Sequence, residues 1–360
     1  MIVSSDSSML YIINLIRDEP KKFVNTQFLW QYIIHMNKSD LIKKIEQERG
    51  SRLLVYVTGD RQPFLTRVAT DVLPLMNQHL SEFGEVDKVS LFLYTSGGDM
   101  LAPIRIVKLI RNHCKNFEVL VPYKAHSAGT LVALGADEIV MGKLGELSPV
   151  DPSTGHPFNP QNPGNPQRRL EVSVEDLNSY FLFAKERAGV KDDQMVEVYK
   201  QLVEKMHPLS IGNAYRAFRM SKMLTERLLR LHMDKNKDKE KIEKIVKEIT
   251  GDITIHAYPI DVCDAKELGL NVSSPSADLG QAIWDLYSHY AGELKLGQPF
   301  HPSEFLGDQE MAQVSYPAAF VDSSEFTHKF VFKGKVQKTI RNNQPVSGMN
   351  MDSQSWILEK

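Results

Sequence analysis

The sequence predicts an α/β protein built around parallel strands, and three observations lead there. Short apolar runs rich in Val, Leu, Phe and Tyr recur at RLLVYVTG (52–59), VSLFLYTSGG (89–98) and FEVLVPYKA (117–125), each closed by Gly or polar residues, the texture of buried strands. Between them, FLTRVATDVLPLMNQHL (64–80) and MLAPIRIVKLIRNHC (100–114) carry apolar residues at helical spacing. The order strand, helix, strand, helix favours parallel pairing with the helices as crossovers.

The remaining elements follow in order. Residues 1–50 read as a helical N-terminal segment, with Trp30, Tyr32 and Ile33 ahead of the amphipathic stretch SDLIKKIEQERG that stops at Gly50. The stretch STGHPFNPQNPGNPQRR (153–169) is so dense in Pro, Gly and Asn that no regular element is expected to run through it, because proline fixes φ and lacks a donor. Its length suggests a functional flap as readily as a plain surface connection. From 173 to 250 the chain reads as mostly helix: SVED (173–176) resembles a capping box, and 213–233 carries a Tyr/Phe/Met/Leu stripe suited to a core or an interface. The mixed charges of DKNKDKEKIEKIVKEI suit a solvated helix face. In GDITIHAYPIDVCDAKELGLNV (251–272) Asp261 is placed to cap a helix and Gly269 to stop it. A helix around Trp284 and a weakly patterned tail containing HKFVFKGKVQK complete the chain. The expected organisation is a helical segment at 1–50, a catalytic domain at 51–275 that includes the helical region 173–250, and a C-terminal extension at 276–360.

Composition narrows the function. With 360 residues, 42% hydrophobic and 24% charged, the chain can bury a sizeable core. A formal charge of −2 gives no reason to expect nucleic acid or an anionic membrane as partner. The two cysteines, Cys114 and Cys263, form no CxxC pair, which argues against a zinc site or a disulfide framework and suits a reducing compartment. The N-terminus lacks a basic n-region, its apolar run is broken by Arg17 and Asp18, and no stretch reaches the ~20 apolar residues of a membrane span. A soluble cytoplasmic protein is expected.

Chemistry concentrates in two turns. In YTSGGDM, the Gly97–Gly98 pair directly after a buried strand leaves backbone N–H groups open to close approach, and Asp99 is placed to cap the next helix. About thirty residues later AHSAGT places Ser127 where a strand becomes a helix. Neighbouring parallel strands bring both turns to one sheet edge, so Ser127 would face the glycine amides with the Ala128 N–H as a second donor. A nucleophile beside two preorganised donors suits acyl transfer. The plain alternative is that Ser127 is only a helix cap.

SGGD, HSAGTLVALGADEIVMG followed by LSPVDP, and HAYPIDVCDAKELGL together resemble the crotonase-fold serine peptidases, and above all the serine dehydrogenase proteinase family, related to the Clp protease proteolytic subunit and to signal peptide peptidase A. The resemblance spans roughly residues 50–275. It implies a crotonase/Clp-like fold of repeated ββα units, Ser127 as nucleophile, and an oxyanion hole from Gly97 and Ala128. For the base it offers two routes. A Ser, Asp, His order selects Asp151 and His256, with His256 taking the proton and Asp151 holding its tautomer. The peptidase A route selects a lysine, for which Lys185 in FAKERAG is the nearest candidate provided that burial lowers its pKa. His207 is a rival histidine, and His126 would point away from Ser127 on a strand.

The expected activity is hydrolysis of unfolded proteins or peptides by a homo-oligomer without metal or organic cofactor, an unfoldase partner being left open. Two rivals stand beside it: a crotonase-like acyl-CoA hydratase or isomerase, and a catalytically silent scaffold of the same fold.

Overall fold

A computed structural model of the protein describes residues 37–253, 255, 257–341 and 344–359. Helix α1 (Lys38–Arg49) leads into strand β1 (Arg52–Thr58). The parallel core then alternates helix and strand: α2 (Leu73–Phe83), β2 (Val86–Tyr94), α3 (Ala102–Arg111), β3 (Cys114–Val121), the two-residue β4 (Lys124–Ala125), α4 (Ala128–Leu134) and β5 (Glu138–Met141). Beyond β6 (Glu146–Leu147) the chain forms an arm from β7 (Ser153–Thr154), β8 (Gln161–Asn162), β9 (Asn165–Arg169) and β10 (Val172–Ser173). Helices α5 (Val174–Glu186), α6 (Met195–Lys205), α7 (Pro208–Leu229), α8 (Lys239–Lys247) and α9 (Val262–Leu268) follow, then β11 (Val272–Ser273), α10 (Ala277–Glu293), α11 (Ser303–Leu306), β12 (Met311–Asp322), β13 (Thr327–Arg341) and β14 (Gln344–Glu359).

Among the described residues the main sheet has eight strands in the order β11-β5-β3-β2-β1-β12-β13-β14. The five from β11 to β1 run parallel, and β12, β13 and β14 continue the sheet antiparallel. The protein is therefore a mixed α/β structure with a mostly parallel central sheet. Strands β1, β2, β3 and β5 are buried on both faces over most of their length, and the period-two alternation of side chains divides them between two cores. Leu54, Tyr56, Leu91, Leu93 and Val119 pack toward α2, α3, α4 and α7, while Leu53, Val55, Val57, Phe92 and Tyr94 pack toward α1 and α10. No helix among the described residues is long and apolar enough to cross a membrane.

Four expectations change. The helix expected over 64–80 begins only at Leu73, after a short 3-10 turn at Thr70–Val72. Pro74 suits a first helical turn, and Val68 is held as an extended residue by backbone hydrogen bonds to Gly97 and Asp99. The stretch 153–169 does contain regular structure: β8 and β9 pair across Pro163–Gly164, where Asn162 Oδ1 accepts the Gly164 N–H at 2.8 Å, and β7 pairs with β10. Proline is tolerated there because the arm is a two-stranded, exposed ribbon. The boundaries at 50 and 275 do not divide the structure, since residues from Lys38 onward form one compact unit. Helix α1 packs against α10, and β12 pairs along β1 from Val55↔Asp322 to Thr58↔Ala319, so the expected C-terminal extension completes the central sheet.

Other local expectations hold. Asp261 caps α9 by accepting the Cys263 and Asp264 N–H groups, and Gly269 ends it in the left-handed region. Ser173 caps α5 through the Glu175 and Asp176 amides. In α8, Ile242 and Ile245 are buried while the charges face outward.

Candidate active site

Two turns meet at the C-terminal edge of the parallel strands. Beyond β2, Thr95 bridges to Ala125: its N–H donates to the Lys124 carbonyl at 2.9 Å, and the His126 N–H donates to the Thr95 carbonyl at 3.0 Å. This lattice lays the Gly97–Gly98 turn against the His126–Ser127 turn. A Cβ on Gly97 would fall 2.9 Å from Ser127 Cβ and 3.4 Å from Ser127 Oγ, and Gly97 itself has φ 111°. Only glycine allows that approach in that conformation.

Ser127 adopts φ 50° and ψ −107°, a conformation that L residues rarely enter. It occupies the N-cap position of α4, yet its side chain makes no capping hydrogen bond. The plain helix-cap role is thus not the one the hydroxyl plays. Strain of this kind costs about 1–3 kcal/mol and persists only where neighbours over-determine it. A sharp, strained strand-to-helix turn also exposes a hydroxyl at the top of a sheet.

The amides around Ser127 divide into spent and available. Gly97 N–H donates to Thr95 Oγ1 at 3.1 Å, and Ser127 N–H donates to Ser148 Oγ at 2.9 Å. The Val68 bridge uses the Gly97 carbonyl and the Asp99 N–H, passing over Gly98. Among the described residues no acceptor takes the Gly98 or Ala128 N–H. Of the glycine pair, the resemblance implies Gly97 as a donor beside Ala128, but the geometry spends the Gly97 amide and leaves Gly98 open. A Cβ on Gly98 would lie 2.2 Å from the Val68 carbonyl oxygen, so this position too requires glycine.

The candidate bases are distributed differently. Asp151 Oδ2 accepts the Ser173 hydroxyl at 3.1 Å, at the point where the arm closes onto α5. The buried Glu175 carboxyl lies nearby, pushed above the usual carboxylate range by desolvation, with the Asp151 charge adding to the shift. His256 lies outside the described residues. The segments on either side of it are anchored to the stretch containing Ser148: Val150 N–H donates to the Ile249 carbonyl at 2.9 Å, and Leu147 and Ile260 exchange two backbone hydrogen bonds of 3.0 Å.

Lys185 is a correction. Its ammonium forms a 2.6 Å ion pair with Asp192 and its side chain is 49% exposed, so water solvates it and the burial a lysine base needs is missing. His207 caps α7, accepting the Leu209 N–H at 3.2 Å, and stacks on Phe158 with ring centroids 4.2 Å apart. His126 turns Nε2 to Glu146 at 2.9 Å. Sequence reasoning missed Ser148, Thr130 and Glu146. The only trace of Ser148 and Thr130 is a small polar residue inside otherwise apolar turns, as in LSP and AGT.

Comparison with known proteins places this geometry in context. Residues 4–163 match the family of ClpP-like SDH-type serine proteinases. The match begins earlier than the stretch that carries the resemblance in the sequence and ends before Lys185 and His256, while including Gly97, Gly98, Ser127, Ala128 and Asp151. Two similar proteins, both from Methanocaldococcus jannaschii, are named as uncharacterized. One is 28% identical over 277 residues, 74% of this chain and 81% of the relative. The other is 29% identical over 202 residues, 55% of this chain and 58% of the relative.

Proposed function

We propose that the protein is a serine peptidase with Ser127 as nucleophile and the Gly98 and Ala128 N–H groups as its oxyanion donors. The observation that carries the reading is the strained Ser127 turn, lodged against Gly97 with its hydroxyl released from capping. Ser127 Oγ attacks the scissile carbonyl and gives its proton to the base. The tetrahedral oxyanion forms between the two amides, which need no reorganisation to receive it. The base returns the proton to the leaving amine, and water then hydrolyses the acyl-enzyme by the same steps.

For the base we propose His256, with Asp151 as its orienting carboxylate. The anchoring of residues 249 and 260 to the 147–150 stretch supports this, because that stretch touches Ser127 through Ser148. The parallel β4–β6 pair, packed beside the main sheet at the active edge, supports reading the core as crotonase-like ββα units. Unfolded segments or peptides are the proposed substrates. The helical region supports a homo-oligomer: Phe183, Val196, Leu209 and Tyr215 are each about 60% exposed.

A fluorophosphonate probe and a peptide-hydrolysis assay test the reading. Labelling at Ser127 with turnover lost in a folded Ser127→Ala variant supports it. Unchanged turnover in that variant sinks it, and thioester conversion without labelling points to a crotonase-type enzyme instead.

A further inference from the structure

Ser148 is fully buried, and each of its polar groups is committed. Its hydroxyl accepts the Ser127 N–H at 2.9 Å and donates to the Pro149 carbonyl at 3.1 Å. Its own N–H donates to Thr130 Oγ1 at 3.0 Å, and its carbonyl lies 2.8 Å from that same hydroxyl. Thr130 is buried on α4, one turn from Ser127, and also reaches the Ala125 carbonyl at 2.9 Å. A closed polar ring therefore joins the Ser127 turn, its helix and the stretch after β6. The outer side of that stretch is held by Ile249 and Ile260.

We propose that Ser148 is a positioning residue: its hydroxyl locks the Ser127 backbone in its strained conformation and sets the register between Ser127 and the backbone of Ile249 and Ile260. The proposal rests on the reading of Ser127 as nucleophile. A backbone in a sparsely populated region relaxes unless its neighbours hold it. Here the Ser127 peptide is held by its N–H to Ser148 and by its carbonyl, which accepts the Leu131 N–H at 3.1 Å. Removing the Ser148 oxygen leaves the Ser127 N–H without an acceptor and the Pro149 carbonyl without a donor, and both then favour rotation toward new partners. Such a rotation carries Ser127 Oγ away from the Gly98 and Ala128 amides. The loss falls on the chemical step rather than on substrate binding.

The test measures kcat, KM and the rate of fluorophosphonate inactivation for Ser148→Ala, Ser148→Thr and Ser127→Ala in the full chain, with thermal unfolding alongside. Ser148→Ala should lower kcat and the inactivation rate together by about 10–100-fold, the scale of an ångström-sized misplacement, while KM stays within about twofold. Ser148→Thr keeps the hydroxyl and should recover most of the loss. A folded Ser148→Ala with wild-type kcat, or a kcat loss that a folded Ser148→Thr leaves uncorrected, overturns the positioning role. If Ser148→Ala does not fold, Ser148→Cys carries the comparison: it should show an intermediate kcat loss at unchanged KM, and wild-type kcat overturns the proposal. Failure of the underlying reading looks different, because there Ser127→Ala itself remains active.

Discussion

Replacing Ser127 by glycine should make the protein more stable while removing its activity. The backbone at this position has φ 50° and ψ −107°, accessible to glycine and strained for any residue with a Cβ. Relief of that strain is worth about 1–3 kcal/mol, against which glycine costs about 0.5–1 kcal/mol in unfolded-chain entropy. The net gain is up to about 2.5 kcal/mol, a rise in unfolding midpoint of up to roughly 3 °C for a fold of this size. Ser127→Ala keeps the Cβ and the strain, so its midpoint should stay close to wild type. Removing the hydroxyl costs little, because it makes no hydrogen bond among the described residues. The assay is thermal and urea unfolding of the three proteins side by side, with peptide hydrolysis measured on the same preparations. If Ser127→Gly is no more stable than Ser127→Ala, the turn stores no strain and the argument from it collapses.

Gly97→Ala should lower kcat by about 10²-fold and also cost stability, since its Cβ strikes Ser127 at 2.9 Å from a backbone at φ 111°, and steady-state kinetics on a small ester checks the rate. Gly98→Ala should lose more stability still, because its Cβ lies 2.2 Å from the Val68 carbonyl oxygen and breaks that bridge; unfolding curves rank the two variants. Burial holds His79 down at about 3, and it also lowers His328, whose Nδ1 lies 3.1 Å from His79 Nε2. The unfolded chain therefore takes up protons first as pH falls below about 6.5, so stability should drop by up to about 1.4 kcal/mol per pH unit for His79 on the way to pH 3. Urea titrations from pH 7.5 to 5 should show this fall, and His79→Leu should flatten it. Asn159 pins the arm by donating to the Thr154 and Leu170 carbonyls at 2.7 and 2.8 Å and by its contact with Ser210. Asn159→Ala should speed tryptic cleavage at Arg168 and Arg169, whereas an unchanged digestion rate means the arm is held elsewhere.

The parts of the fold that the sequence makes legible are those decided locally. Strands β1, β2 and β3 are apolar on both sides because both faces are covered, and the Ser173, Asp261 and Gly269 caps act within one turn of themselves. What stayed hidden depends on distant partners. Residues 64–69 have helical spacing but form no helix, and Val68 bonds instead to the turn after β2. The tail looks weakly patterned because β14, at the edge of the sheet, alternates little between buried and exposed. At the site, Ser127 and the glycine pair could be found from composition at a strand end. Which glycine has a free amide could not, since that turns on Thr95 Oγ1, and Ser148 shows its importance only once its hydroxyl meets the Ser127 N–H.

The place of β1 between β2 and β12 has a consequence for how the molecule comes into being. Arg52 at the head of β1 hydrogen-bonds Ser324, 272 residues further along the chain. During synthesis at roughly 5–20 residues per second, β1 waits on the order of tens of seconds before its second neighbour emerges. Through that interval an apolar strand that is interior in the finished protein presents a bare edge, open to pairing with another nascent chain. A chain truncated before Met311 would keep the Ser127 turn and the glycine pair, but with that edge permanently exposed it should be recovered as aggregate rather than as a smaller enzyme.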